Sequence, residues 1–436
     1  MENFPNNNNN SNEAPQYGNV YGGGYGEFGT NPPAPMTPEK KGMPLYAVVI
    51  IILVTVVVTF QVTSLWYQFG IIGKSDNDVP SYFDNALIID EYLREHYIGE
   101  MDEEYISQFL ASALLYASGD AYAYYYTPEE YKNATMSNQG SSVGLGIMVD
   151  YREDMSIGIT RVSIGSPADL VGIRVGDVIT AINGKDLALM SYKELNVAMQ
   201  GEAGSSAVLK IQRGDEVIEF TVVRDKFVMQ SVDGHVYKDG NTAKKIGVIE
   251  IYEFNSATTE QFIGMVNDFV DQGVEALVFD VRGNGGGTLD SVVDMLNFLL
   301  PEGKLVRITD KNGKEVQYYT SDANCIDLPM AVLTDGETAS AAELFTSVLK
   351  DYGKAISVGT QTYGKGTIQI MIPLPDGGAF KFSYRYYSPP ISDNFNGVGI
   401  PPEIEITLPE GTIVPYLTDE NDPQLSAAVE HLLNAN

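Results

Sequence analysis

The sequence predicts a multidomain α/β (α+β) chain with an N-terminal transmembrane helix, further N-terminal helices, an inserted mainly-β unit and an α/β core. Three observations lead there. Leu45 to Trp66 carries no charged residue, and about 20 apolar residues span a bilayer as a helix. Residues 141–226 are short β-branched stretches punctuated by turn signals. Residues 227–409 alternate strand-length apolar runs with helical periodicity, the order of an α/β core.

Each element follows in chain order. Residues 1–44 are low complexity, with an Asn6–Asn10 run and then Gly, Tyr and Pro, and are expected to be disordered as a cytoplasmic tail. The span 45–66 ends on Trp66 and Tyr67, where an interfacial aromatic belt falls, and Lys40 and Lys41 precede it. Positive-inside bias then places the N-terminus in the cytoplasm and the rest outside, as a single-pass membrane protein. Residues 78–135 form an N-terminal helical region in which apolar residues recur three and four apart. Within it Thr127-Pro128 reads as an N-cap followed by proline at the first helical position. In the β unit, strands are expected at 157–164, 178–182, 208–212 and 217–223, with an Asn183-Gly184 turn and a helix near 192–199. The core should hold strands at 246–252, 276–281, 329–333 and 355–358, and helices at 258–270, 289–300 and 341–351. Residues 410–436 read as a C-terminal helical segment beginning near Pro423.

Composition narrows the function. A net charge of −31, from 58 acidic and 27 basic residues, excludes nucleic acid as a partner. A lone cysteine, Cys325, forms neither an internal disulfide nor a zinc site. The three histidines are scattered and lack an HExxH arrangement. No metal and no cofactor is expected.

Three segments carry candidate chemistry. Thr338 to Glu343 (TASAAE) follows an apolar strand and opens a helix; Ser340 and Glu343 fit a capping box. A serine there also lies where backbone N–H groups favour developing negative charge. Gly359 to Thr367 nearly matches a phosphate-binding GxxxxGK[ST] loop, but position 366 is glycine and a strand pattern follows where that loop needs a helix. The nucleotide reading is rejected. Asp280 to Gly287 is a glycine run after a buried strand, suited either to a tight turn or to holding an oxyanion.

Taken in order, the set DVRGNGGG, TASAAE and YGKGTIQ, with the upstream SGDAYAYYYTPEEY segment, resembles the C-terminal processing peptidases, tail-specific Ser-Lys proteases of family S41. The β unit, with its GLGI loop, SPA turn and GDVITAING hairpin, resembles a PDZ domain. The departures are Thr338 and Ala342 in usual serine positions, Asn284 to Gly287 where the family has N-x-P-G-G, and Tyr386 to Pro390 with Gly399 to Glu403 where it has Y-x-x-P-x-G and GI-x-P-D.

The resemblance implies a serine endopeptidase with Ser340 as nucleophile, Lys365 as general base and Gln369 orienting the lysine. Gly286 and Ala341 would supply the oxyanion-hole N–H groups. In the PDZ-like unit, Gly144, Leu145, Gly146 and Ile147 would hold a peptide's terminal carboxylate while the peptide adds as a strand. Protein or peptide substrates taken by their C-termini and a homodimer are implied as partners; nothing in the chain identifies a regulatory partner. An ordinary lysine, with pKa about 10.4, is charged at neutral pH and cannot act as a base. Burial away from carboxylates lowers that value and frees the amine to take the serine proton. A membrane-tethered PDZ scaffold without catalysis is the competing reading, and it has no need of Ser340, Lys365 and Gln369 together.

Overall fold

The computed structural model describes residues 81–434, apart from 152–155, 188–189, 191 and 238–243. The expected tail and membrane span lie outside the described residues. Among the described residues no helix is long and apolar enough to cross a membrane. The chain divides into residues 1–100 and 101–436. In the first unit the helix Asp84–His96 buries no residue and exposes Leu87, Ile88, Ile89 and Tyr92.

In the second unit, a six-stranded sheet organises the core. Its order is Val232–Val236, Ile246–Ile251, Ala276–Asp280, Met330–Thr334, Ala355–Gly359 and Ile404–Glu405. All neighbours are parallel except the first pair. The alternation of side chains explains why these strands are apolar throughout, because both faces are covered. Ile249, Ile251, Leu277, Phe279, Met330 and Val332 pack under the helices Ser256–Asp271, Leu289–Leu299 and Ala341–Asp351. Ile246, Val248, Ala276, Val278, Ala331 and Leu333 face Leu425, Ala428, Val429 and Leu432 of the C-terminal helix Pro423–Asn434.

A second, antiparallel sheet was not read from the sequence. It joins Tyr124–Tyr126, Ala379–Ser388, Gly303–Thr309 and Glu315–Ser321 in that order, with Thr367–Pro373 also paired to Ala379–Ser388. Its members come from segments far apart in the chain, so no local period announces their pairing. The loop 360–366 runs from the first sheet to the second.

The inserted unit is a separate sheet in the order Ile147–Tyr151, Ile157–Val162, Val178–Ile182, Ser206–Arg213 and Glu216–Val223. Its core is Ile157, Ile159, Ile179, Ile182, Leu195, Leu209, Ile211 and Val222. Asn183 and Gly184 both take positive φ, 50° and 79°, as the two-residue hairpin turn requires. The strand pair Ser141–Gly144 and Asp225–Val228 joins this unit to the core. Arg161 lies over the ring of Tyr252, 3.2 Å from its centroid.

Candidate active site

Three loops leave the carboxyl ends of neighbouring parallel strands, the usual place for a site in such a sheet. They follow Asp280, Thr334 and Gly359. The glycine loop and the loop before Ser340 are tied together: Ala339 N–H donates to the Asn284 carbonyl at 2.9 Å, and the Thr338 hydroxyl to the Val281 carbonyl at 2.9 Å. Gly283 N–H donates to the Asp335 carboxylate. Arg282, almost wholly buried, bonds Asp280 and Asp422 and so fixes the glycine loop to the start of the C-terminal helix.

Ser340 begins the helix Ala341–Asp351 with φ 58° and ψ −119°. It shares positive φ with Asn183 alone among the described non-glycine residues. A non-glycine residue in so sparse a region costs on the order of 1–3 kcal/mol, and such residues cluster at functional sites. The residue is 9% exposed. Gly286 packs against it so closely that a Cβ there would lie 2.6 Å from Ser340 Cβ.

Glu343 proves to be more than half of a capping box. Fully buried, its Oε2 accepts from Ser340 N–H at 2.9 Å and from Lys365 N–H at 2.8 Å. Its Oε1 accepts from Gly364 N–H at 2.7 Å and from the Thr362 hydroxyl at 2.6 Å. One carboxylate oxygen therefore joins the backbones of residues 340 and 365.

The Lys365 side chain is partly buried, with Nζ 4.5 Å from the centroid of the Tyr122 ring. Burial first, and the Lys381 charge second, hold its pKa below the ordinary lysine range; Glu343 and Asp120 pull the other way. Tyr122 stays neutral, its phenol pushed up to about 12 by burial and by its bond with Tyr363.

The expected triad is not joined by hydrogen bonds. The Ser340 hydroxyl meets Tyr387 Oη at 3.3 Å, and Tyr387 also donates to the Lys365 carbonyl at 2.7 Å. Tyr387 is the donor in both, its one proton shared between the Ser340 hydroxyl and, in the shorter bond, the Lys365 carbonyl. Burial pushes the Tyr387 phenol far up, keeping it neutral. The Gln369 amide nitrogen bonds Thr367 Oγ1 at 2.9 Å, the Ser383 hydroxyl at 3.1 Å and the Thr367 carbonyl at 3.2 Å, rather than Lys365. The Gly286 N–H, expected in the oxyanion hole, donates instead to Asn284 Oδ1 at 2.8 Å. Ala341 N–H has no partner among the described residues.

Sequence reasoning gave no role to Asp120, Tyr122, Ser383 or Tyr387. The SGDAYAYYY segment and the late Tyr386-Tyr387 pair were visible as motifs, but their chemistry appears only when the second sheet brings them beside residues 365–369. In the inserted unit, Leu145 and Gly146 carbonyls accept from Ala168 and Ser163 at 2.9 Å each, and their own N–H groups remain unpaired among the described residues. Gly146 has φ +82°, and a Cβ would lie 2.1 Å from that of Ser166. Gly144 ends the linking strand, and Ile147 starts the edge strand of the sheet. An edge strand beside open N–H groups is what strand addition by a peptide requires.

Comparisons agree with this layout. The family model of peptidase family S41 matches residues 245–406, and that of the PDZ domain matches 158–213. A Staphylococcus aureus protein named "Probable CtpA-like serine protease" is 30% identical over 369 residues, covering 83% of this chain and 72% of the relative. A Staphylococcus saprophyticus protein of the same name is 28% identical over 366 residues, covering 82% and 73%. The solved structure of an S41-type protease from Bacteroides fragilis superposes with TM-score 0.56 at 19% identity, over 83% of this chain and 99% of that one; this likeness concerns the fold.

Proposed function

This chain belongs to peptidase family S41 as a serine peptidase with a PDZ domain, and from that premise we propose that it is a membrane-anchored endopeptidase of the C-terminal processing type. Ser340 is the nucleophile, Lys365 the general base and Gln369 the group that orients the lysine. The observation that carries this is the shared Glu343 oxygen, which holds the backbones of residues 340 and 365 to a single acceptor.

In the reaction, the neutral Lys365 amine takes the Ser340 proton as Oγ attacks the scissile carbonyl. Ala341 N–H, at the start of a helix, stabilises the oxyanion, joined by the Gly286 N–H once a substrate displaces Asn284 from it. Lys365 returns its proton to the leaving amine, and water then hydrolyses the acyl-enzyme. Because the Ser340 hydroxyl is engaged by Tyr387 and the Lys365 amine lies over Tyr122, the arrangement described is a resting one. The PDZ domain binds a substrate C-terminus at Gly144–Ile147 and gates the change to an aligned site. Arg161, reaching from the PDZ domain onto Tyr252 of the core, is the contact through which it would act.

The apolar run 45–66 anchors the protein, with the N-terminus cytoplasmic and the catalytic region outside, so that extracytoplasmic proteins are its substrates. A homodimer is supported by the helix Glu103–Ala117, which buries no residue and exposes Tyr105, Phe109, Leu110 and Leu114. Ser340→Ala and Lys365→Ala should each reduce cleavage of an unfolded protein to background while peptide binding by the PDZ domain survives. Cleavage by Lys365→Ala at the wild-type rate would remove Lys365 from the mechanism.

A further inference from the structure

An amine that is to act as a base must aim its lone pair at the serine proton, which requires acceptors for its own N–H groups elsewhere. Gln369 offers one acceptor, Oε1, and that oxygen serves only if the amide is turned the right way. The amide nitrogen is held by Thr367 and by Ser383 on the neighbouring strand, where Gln369 and Ser383 are register partners. Oε1 accepts no hydrogen bond among the described residues.

What makes Ser383 an acceptor is Asp120. Its Oδ2 accepts from Ser383 N–H at 2.6 Å, and its Oδ1 accepts from the Ser383 hydroxyl at 3.1 Å and from Tyr122 N–H at 3.0 Å. A serine hydroxyl has one proton, and the carboxylate takes it, so toward Gln369 the Ser383 oxygen can only accept. The Thr367 carbonyl favours the same sense of the amide, while Ser383 ties it across the sheet.

We propose that Asp120 is a positioning residue for the Ser-Lys reaction: through the Ser383 hydroxyl it fixes the Gln369 amide so that the carbonyl oxygen is the acceptor left for the Lys365 amine. This rests on the reading of Ser340 and Lys365 given above. One hydroxyl separates the charge from the amide, so the lysine receives a neutral acceptor rather than a direct ion pair that would keep it protonated. The charge still reaches the amine. Asp120 and Glu343 favour the charged lysine, whereas burial and Lys381 oppose it, and Tyr122 stands between as a neutral ring. Asp120 itself remains ionised: burial raises its pKa, but the bonds from Ser383 and Tyr122 outweigh that and leave it below its usual value.

The test uses the full-length chain and an internally quenched peptide with an apolar C-terminus, with kcat and KM measured across pH. Ser383→Ala should lower kcat about tenfold with KM changed less than about twofold, the range for loss of an orienting partner. Ser383→Thr, which keeps the hydroxyl on a β-branched side chain suited to a strand, should recover to within about threefold of wild type. Asp120→Asn should lower kcat by about tenfold or more and move the acid limb of kcat/KM to lower pH, because a carboxylate that favours charged Lys365 is gone. A merely structural loss would leave that limb in place. Ser383→Ala at wild-type kcat, or Ser383→Thr as slow as Ser383→Ala, would overturn the inference; the serine pair decides it even if Asp120→Asn fails to fold. Ser340→Ala runs alongside: if it cleaves like wild type, the reading of the site falls and takes this inference with it. If Ser340→Ala is dead and the Ser383 variants are normal, this inference alone is wrong.

Discussion

In the PDZ domain the strand Ile147–Tyr151 lies at the edge of its sheet, and the N–H groups of Leu145 and Gly146 are unpaired among the described residues. In the peptidase core, every parallel strand that feeds the site has a neighbour on each side, and the site loops are bonded to one another. The open edge suits a region that must accept a peptide backbone of varied sequence, because main-chain bonds give affinity without reading side chains. The closed loops suit a region that must hold a nucleophile and a base in fixed relation.

The sharpest way to break that contrast is to open the core. Glu343→Gln replaces an acceptor of four bonds by a group whose amide faces N–H donors. It should cost about 2–5 kcal/mol of stability, from leaving buried donors unpaired, and about 100-fold or more in kcat from misplacement of residues 340 and 365. Thermal melts and steady-state cleavage would check both; a stable, fully active variant would show that the shared carboxylate is only a helix cap. Closing the PDZ loop is the converse test. Gly146→Ala puts a Cβ into Ser166 at a positive φ, and should weaken binding of a C-terminal peptide about tenfold, equivalent to ~1.4 kcal/mol. Its melting behaviour in the peptidase core should be unchanged, and calorimetric titration with that peptide reads the difference. A smaller effect is expected from the contact between the regions. Arg161→Ala should change cleavage of an unfolded protein by only a few-fold, the loss of a stacked cation being worth about 0.5–2 kcal/mol. Peptide affinity measured on the same variant should stay at the wild-type value, since Arg161 is outside the GLGI loop.

The same contrast explains what was legible beforehand. Local signals were readable: the helix Ala341–Asp351, the buried strands Ala276–Asp280 and Met330–Thr334, the Thr127 cap with proline after it and the Asn183-Gly184 turn all depend on residues a few positions apart. The GLGI loop was named through the resemblance to a PDZ domain, and the close approach of Ser166 to Gly146 appears only in the fold. The antiparallel sheet was not, because Tyr124–Tyr126 pairs with Ala379–Lys381, more than two hundred residues away in sequence. Asp120 and Ser383 meet only through that pairing. Glu343 was visible as the fourth residue of a capping box, but the donors at Gly364 and Lys365 come from another loop, and no spacing within TASAAE could point to them.

The most direct measurement of the central claim is covalent labelling of the full-length chain with a fluorophosphonate, read by denaturing mass spectrometry across pH. The adduct should map to Ser340. Its rate of formation should climb with pH to a plateau, because Lys365 is charged and idle below its pKa in the folded protein and free to take the serine proton above it; the midpoint should lie below the ordinary lysine value of about 10.4. Lys365→Ala should label at a small fraction of the wild-type rate and without that limb. An adduct on another residue, or labelling of Lys365→Ala at the wild-type rate, would contradict the account.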